Sequence, residues 1–502
     1  MTAPRSRPPL AAALDPADAD RSSTVTTPAP TLDGVLATAE GAARTLALSS
    51  PVERADWLAA LADALDAAGP ELIATAQAET SLPTGRLTGE LARTTFQARL
   101  FAERLRDGSL LEARIDHADP AWPMGPRPDI RRALRPLGVV VVFAASNFPF
   151  AFSVAGGDTV SALAAGCPVV LKAHPGHPRL SRETAAVVVA ALESAGAPAG
   201  VFALIEGFED GIAAVRDPRV SAVGFTGSVS GGRALFDVAV GRPVPIPFYG
   251  ELGSTNPVFV TPRGWQDRGA EIVEGFAGSV TLGSGQFCTK PGVVLVPDVD
   301  AFVGLLPELT VGPMLNERIQ TGFLTATGGL ADCDGVDTVP TVAGADSAVA
   351  PVLLRTTAER VLADPELLGM ECFGPAALLV SYSSTEELLA VARLGHGQLT
   401  ATIQGSEAGD DVAAELVEPL SDFAGRIIWN QWPTGVTVSD AQHHGGPYPA
   451  STAPTTTSVG TAAVTRFLRP VAYQNLPAAL LPAAVGDAAA EGVRQVIDGR
   501  QA

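Results

Sequence analysis

Between residues 137 and 240 the chain alternates short apolar runs with longer amphipathic ones. The short runs are LGVVVVFAA (137–145), PVVLKA (168–173), VFALIEG (201–207) and VSAVGFTG (220–227). The longer ones are about 152–165, SRETAAVVVAALESAG (181–196), GIAAVRD (211–217) and SVSGGRALFDVAV (228–240). Val139 to Phe143 is almost wholly β-branched. A strand that is apolar on both faces must be covered on both faces, and a parallel sheet flanked by helices does this. The alternation therefore predicts an α/β protein with a mostly parallel sheet. Ligands of such sheets sit at the carboxyl ends of the strands.

The rest of the chain is organised around that block. Residues 1–31 are rich in Pro, Ala, Ser, Thr and Asp and read as a flexible tail. Residues 32–108 have helical spacing, with Pro51 near a helix start. Residues 109–135 carry Pro, Arg and alternating segments such as ARIDHA, an extended arm. A second α/β block spans about 251–430, with strands near Val258, Val293 and Leu378. Residues 431–502 read as a long ordered loop, a second arm about 460–475 and a C-terminal tail. At 502 residues, two or three domains are expected. The division is 32–250, 251–430 and 431–502.

The formal net charge is −20. Such a surface repels nucleic acid and does not attract anionic membranes. An anionic cofactor or substrate needs a local basic or backbone-amide site against this field. Residues 136–157 are uncharged and long enough to span a bilayer. Asn147, Pro149 and Gly156-Gly157 interrupt them, so a buried strand and a turn are expected. Arg5 and Arg7 precede an apolar run of only Leu10 to Leu14, so no signal peptide is expected. The four cysteines, Cys167, Cys288, Cys333 and Cys372, form no C-x-x-C pair. No disulfide scaffold or metal site is expected, and a reducing cytoplasm suits them. Cys167 reads as core and Cys333 as a surface loop.

Several residues can carry chemistry, each with a structural alternative. Cys288 in GSGQFCTKP follows glycines that let the backbone approach a ligand; it is a nucleophile or a small buried hydrophobe. Glu251 in ELGSTNP is a general base or a surface carboxylate. Asn147, at the end of a strand, is an oxyanion donor or a turn residue before Pro149. FTGSVSGG (225–232) is a strand end and a Gly-rich helix start, suited to a pyrophosphate. It is not G-x-G-x-x-G, and Ser228 can be simply an N-cap. Lys172 closes a strand as a cofactor ligand or a rim charge.

Taken together, ASNFPF, LKAHP, FTGSVSGG, ELGSTNP, GQFCTKP and ECFGP (371–375) resemble the aldehyde dehydrogenase superfamily, in that family's order and over about residues 32–480. AFSVAGGDTVSALAAGCPVVLKAHPGHP (151–178) and the tail GGPYPAST…TSVGT…RFLRPVAYQNLP are similar to its NADP⁺-using subgroup. That subgroup contains 2-oxoglutarate semialdehyde (2,5-dioxopentanoate) dehydrogenases and a fatty-aldehyde dehydrogenase.

The resemblance implies a three-layer fold. It consists of a Rossmann-like cofactor domain (32–250), an α/β catalytic domain (251–430) and a β-arm that joins a homodimer or homotetramer. It implies that Cys288 is the nucleophile, that Asn147 and the Cys288 N–H form the oxyanion hole, and that Glu251 activates the deacylating water. Lys172 and Glu371 would bind the cofactor ribose hydroxyls and Phe373 would pack near the nicotinamide. Gly227, Ser228 and Gly232 would lie by the pyrophosphate. The implied cofactor is NADP⁺ or NAD⁺. Pro175 stands where many members have a Glu that repels a 2′-phosphate, which favours NADP⁺ or dual use. His174 and His177 either help hold that phosphate or are turn residues.

The implied substrate is 2,5-dioxopentanoate, with fatty or aromatic aldehydes as the alternative. Arg99, His443 and His444 are candidates to meet a distal carboxylate, and Phe148 and Trp432 to line a funnel. A CoA-acylating enzyme would typically lack Glu251. A catalytically inactive binding homologue would be marked by loss of Cys, Glu or Asn. No G-x-S-x-G or H-E-x-x-H signature points to a hydrolase.

Overall fold

Val139–Phe143 is buried over four of its five residues and lies at the centre of a five-stranded sheet. Across that sheet the order is Phe202–Ile205, Val169–Lys172, Val139–Phe143, Val220–Thr226 and Phe248–Glu251. All four pairings are parallel. The chain builds outward on one side of Val139–Phe143, then returns to build the other. The reversal opens a crevice at the carboxyl ends of Val139–Phe143 and Val220–Thr226. Asn147, Lys172 and Gly227 all stand at such ends.

The computed structural model describes residues 31–341, 343–488 and 490–501. The expected N-terminal tail therefore lies outside the described residues, apart from Thr31. Residues 32–502 form one compact unit.

Four helices, Leu32–Leu48, Pro51–Ala67, Gly69–Thr80 and Thr84–Arg106, occupy the segment with helical spacing. Pro51 begins its helix behind a capping box. Ser50 Oγ accepts the Glu53 N–H, and the Glu53 carboxylate accepts the Ser50 N–H. Leu58, Leu61 and Phe101 from these helices share one core with Val140 and Leu171 of the sheet.

The helix expected from Phe152 begins at Gly157. Glu90 Oε1 takes the N–H groups of Phe150 (2.8 Å) and Ala151 (3.0 Å), holding residues 148–156 in a tight turn. A Cβ on Gly156 would lie 2.6 Å from the Ala151 carbonyl oxygen.

A second sheet has seven strands in the order Asp337–Val339, Val352–Thr357, Ala376–Ser381, Val293–Val296, Val258–Val260, Gln398–Gln404 and Ala424–Trp429. Only the first pair is antiparallel. Gln398–Gln404 is buried at every position, as an interior strand requires.

The two arms pair with each other in a third sheet. Leu468–Gln474 runs antiparallel to Ile130–Pro136, which pairs with Glu112–Asp116. The C-terminal residues, expected as a tail, add Arg494–Ile497 and Arg500–Gln501 to this sheet. Asp498-Gly499 makes the hairpin: both residues have positive φ (47° and 77°), as a tight Asp-Gly turn demands. No helix among the described residues is long and apolar enough to cross a membrane.

Candidate active site

Cys288 is delivered by an unusual stretch of backbone. Gly283, Ser284 and Gly285 all have positive φ (55°, 56° and 66°). A Cβ on Gly285 would lie 2.3 Å from the backbone of Gly374, so GSGQFC and ECFGP meet here in a contact only glycine allows. Ser284, which is not glycine, is held in the left-handed region by its hydroxyl bond to the Gly312 carbonyl (3.0 Å).

Asn256 fixes the other side of the loop. Its Nδ2 donates to the carbonyls of Cys288 (2.8 Å) and Lys290 (2.9 Å). Its Oδ1 accepts from Ser254 and Thr400, and Gln398 Oε1 accepts the N–H groups of Thr255 and Asn256. The ELGSTNP turn thereby ties the Cys288 loop to the buried strand Gln398–Gln404.

Glu251 closes the first sheet at the end of Phe248–Glu251 and is buried. Glu251 Oε1 lies 2.8 Å from His444 Nε2, and Oε2 accepts a short hydrogen bond from the Ser458 hydroxyl. His444 Nε2 is also 3.6 Å from the Cys288 sulfur. One atom from each of the three side chains lies within 4.8 Å of the other two, with His444 Nε2 the atom within hydrogen-bond reach of both others. Burial disfavours the charged form of Glu251. His444, with the Ser458 and Cys288 hydrogen bonds, outweighs this and holds Glu251 below the usual carboxylate range. Burial first, and the Glu251 charge second, push the Cys288 thiol well above its ordinary value. In this resting arrangement the thiol keeps its proton and the carboxylate is ionised.

His444 was grouped by the sequence with Arg99 and His443 as a partner for a distal carboxylate. The structure corrects this. His444 is buried between Cys288 and Glu251. Arg99 pairs at the surface with Asp63 (2.6 Å) and Asp66 (2.7 Å). His443 is half-buried, packed against Gly425 and Gly445. Nothing in HHGG separates the two histidines; only the fold does. Ser458 and Asn256 were likewise passed over, although TSVGT and ELGSTNP were both singled out.

Asn147 Nδ2 donates to the carbonyl of Gln286 (3.0 Å), two residues before Cys288. Arg86 accompanies it, donating from Nη2 to the Asn147 carbonyl (2.6 Å). Glu371 lies against the turn after Glu251, because a Cβ on Gly253 would fall 2.2 Å from Glu371 Oε2. Burial raises the Glu371 pKa to about 7 against the pull of Lys290 and the Ser254 amide. Phe373 is half-buried beside it.

Ser228 is an N-cap: its Oγ accepts the Gly231 N–H (3.2 Å) at the start of Val229–Val240. Gly227 donates to the Glu251 carbonyl (3.1 Å), joining the helix start to the strand that ends in Glu251. Gly232 gives close packing, since a Cβ there would lie 2.2 Å from Leu252. Lys172 is half-buried at its strand end and forms no ion pair among the described residues. His174 Nδ1 accepts the Gly176 N–H (3.0 Å); burial, then the charges of His177, Lys172 and Arg318, lower its pKa to about 3. His177 is spent on Ala145 and Ser181.

Phe148 stands edge-on to Phe287 (5.2 Å) and Phe152 (5.3 Å), a row leading to Cys288. Trp432 packs instead on Phe276 and over Gly275. The four cysteines are free; Cys167 is core as expected, and Cys333 is half-buried near Met370.

A model of the aldehyde dehydrogenase family matches residues 6–452. The chain is 46% identical over 458 residues to alpha-ketoglutaric semialdehyde dehydrogenase 2 of Azospirillum brasilense, covering 89% of this chain and 87% of that one. It is 41% identical over 456 residues to alpha-ketoglutaric semialdehyde dehydrogenase of Acinetobacter baylyi, with the same coverage of each (89% and 87%). Among solved structures, an NAD-dependent aldehyde dehydrogenase from Sinorhizobium meliloti superposes with a TM-score of 0.72 at 23% identity, over 89% of this chain and 87% of that one. Proline utilization A superposes with a TM-score of 0.73 at 22% identity, over 88% of this chain and 44% of that longer chain. These two likenesses concern the fold.

Proposed function

The chain belongs to the aldehyde dehydrogenase family, and on that premise we propose that it oxidises 2,5-dioxopentanoate to 2-oxoglutarate, with NADP⁺ preferred over NAD⁺. The observation that carries the chemistry is the Cys288–His444–Glu251 cluster. The identity to two alpha-ketoglutaric semialdehyde dehydrogenases supports the substrate.

Cys288 is the nucleophile. Its sulfur forms a bond to the aldehyde carbon, and its proton passes to the His444–Glu251 pair. The carbonyl oxygen becomes an oxyanion. An amide carries two N–H donors. Asn147 uses one on Gln286 and has a second for the oxyanion, beside the backbone N–H of Cys288. A nicotinamide held beside Cys288 would supply the hydride acceptor that is needed for the oxyanion to collapse to a thioester on Cys288. The proton taken from the thiol then leaves the pair for solvent, so Glu251 is again a carboxylate. Water attacks the thioester carbon as Glu251 takes one of its protons, the C–S bond breaks, and that proton returns to the Cys288 sulfur as the acid leaves.

The residues present fit a dinucleotide. Lys172 has no ion pair among the described residues, the Val229–Val240 helix opens at a strand end, and the half-buried Glu371 carboxylate can accept from a ribose hydroxyl. Pro175 removes a carboxylate that would repel a 2′-phosphate. Residues 32–250 are the cofactor domain in this reading, 251–430 the catalytic domain and 431–502 the loop and arm. The arm strand Leu468–Gln474 has one edge unpaired among the described residues, which suits a homodimer or homotetramer. The place of action is the cytoplasm.

The test is NAD(P)H formation with 2,5-dioxopentanoate, succinic semialdehyde, an aliphatic series and benzaldehyde, using each cofactor. The highest kcat/KM is expected for 2,5-dioxopentanoate with NADP⁺. Cys288→Ala is expected to lose roughly 10⁴-fold or more of kcat. A lead for long or aromatic aldehydes would overturn the substrate and leave the mechanism. Full activity in Cys288→Ala would overturn the mechanism.

A further inference from the structure

One face of helix Thr84–Arg106 carries Arg86, Glu90 and Arg93 at spacings of four and three, turned toward the Phe148–Phe152 wall. Glu90 Oε1 is committed to the turn amides, and its Oε2 is buried without a hydrogen-bond partner among the described residues. Arg86 is a strut. It lies over the rings of Phe148 (5.1 Å) and Phe287 (4.8 Å) and is bonded to the Asn147 carbonyl.

Arg93 makes as few hydrogen bonds as Arg86, whose Nη1 is also buried without a partner among the described residues. The Arg93 guanidinium lies 5.3 Å from the centre of the Phe152 ring, and its Nε reaches the Val436 carbonyl at 3.4 Å. Its Nη1 is buried with no hydrogen-bond partner among the described residues. From the second sheet, Arg426 approaches the same loop. Its Nη2 donates to the carbonyls of Pro433 (3.0 Å) and Gly435 (3.2 Å), while its Nε is buried without a partner among the described residues. The Gly435 N–H is bonded to Thr289, the neighbour of Cys288 (3.1 Å). The Arg93 charge interacts first with Glu90 and then with Cys288 and Glu251, and the Arg426 charge interacts with Cys288. Neither forms an ion pair among the described residues.

Orphaned N–H groups on buried guanidinium are costly unless something fills them. The group that fits best is a carboxylate, which a guanidinium fork meets with paired, charge-assisted bonds. A chain of net charge −20 can hold an anionic substrate only where cations are gathered locally. We propose that Arg93 and Arg426, converging on the 433–436 loop beside Cys288, form the subsite that binds the distal carboxylate of a short ω-aldehyde acid. Methylenes of the substrate lie along the Phe152–Phe148–Phe287 row, and Arg86 keeps two of those rings in place. This deepens the substrate reading above and rests on it.

The experiment uses the full chain with NADP⁺ and the ratio of kcat/KM for 2,5-dioxopentanoate to that for pentanal, its uncharged counterpart in length. The ratio does not depend on the fraction of enzyme folded. Arg93→Met and Arg426→Met should each lower it roughly ten- to hundredfold, the worth of one charged hydrogen bond. Arg93→Lys should recover part of it. Inhibition of pentanal oxidation by glutarate, an unreactive five-carbon dicarboxylate, should weaken in parallel. If wild type prefers the acid and neither Met variant changes the ratio, the subsite is wrong and the substrate stands. If wild type shows no preference, the substrate reading falls and glutarate decides the subsite. Inhibition lost in both Met variants sustains it; equal inhibition of all three enzymes overturns it.

Discussion

The two sides of the cleft each hold a glutamate, and they have been driven apart. Glu251 and Glu371 approach the same turn, with Gly253 touching Glu371 two residues after Glu251. Burial acts against the charge of both. On the Glu251 side, His444 and Ser458 answer it, and the carboxylate is held ionised. On the Glu371 side, Lys290 and one backbone amide answer only part of it, and the pKa rises to about 7. Lys290 is itself buried and committed to the Ala376 carbonyl (2.5 Å). The residue type is the same; the number of committed donors assigns the role. The first suits a permanent proton acceptor. The second suits a ligand that hardens as its proton leaves.

The largest break in this contrast is Glu251→Gln. The amide can still pair with His444 but accepts no proton from water. Deacylation should slow by roughly 10²- to 10⁴-fold. Mass spectrometry should then find the thioester accumulating on Cys288 after one turnover. Equal loss of the acylation burst and of steady-state turnover would mean that Glu251 serves attack by Cys288 before it serves water.

A smaller effect is expected on the other side. In the proposed reading Glu371 binds a ribose hydroxyl, and it would accept that hydrogen bond best as a carboxylate. Apparent cofactor affinity should therefore improve as pH rises through about 7. In Glu371→Gln that dependence should flatten, with cofactor binding weaker at pH 8 by about tenfold. Stability runs the opposite way. A folded-state pKa above the unfolded one means that the native chain holds the extra proton between about 4.5 and 7, so this group's contribution falls as pH rises through that window. The glutamine variant should gain Tm relative to wild type from pH 5 to pH 8. A pH-independent cofactor Kd in wild type would remove Glu371 from the binding site.

This contrast marks where the sequence stops being legible. The strands of the first sheet can be read from β-branched runs such as Val139–Phe143, because burial on both faces leaves a plain trace. Cys288, Glu251 and Glu371 sit in motifs recognisable by neighbours that must be small: Gly285 against Gly374, and Gly253 against Glu371. His444 leaves no such trace. It lies 193 residues from Glu251 and 156 from Cys288, on a loop whose path depends on the whole molecule. Trp432 and Arg99 misled for the same reason: an aromatic or a cation advertises its type and not its direction. The C-terminal hairpin was readable in principle from Asp498-Gly499, but two flanking residues on each side are too few to display alternation.

Ser458 tests the finest part of the comparison. It touches Glu251 and belongs to the tail segment, so it acts through the carboxylate. Ser458→Ala removes one of the donors that offset burial while leaving His444 in place. The Glu251 pKa should rise and the acid limb of the kcat profile should move to higher pH, with kcat at its plateau falling only a few-fold. Ser458→Thr keeps the hydroxyl and should bring the limb back. A purely packing role predicts a different pattern: kcat lowered equally at every pH, with no displacement of the limb and no rescue by threonine. The position of the limb, more than the rate, therefore reports whether donors from the tail set the charge on Glu251, as their scarcity sets it on Glu371.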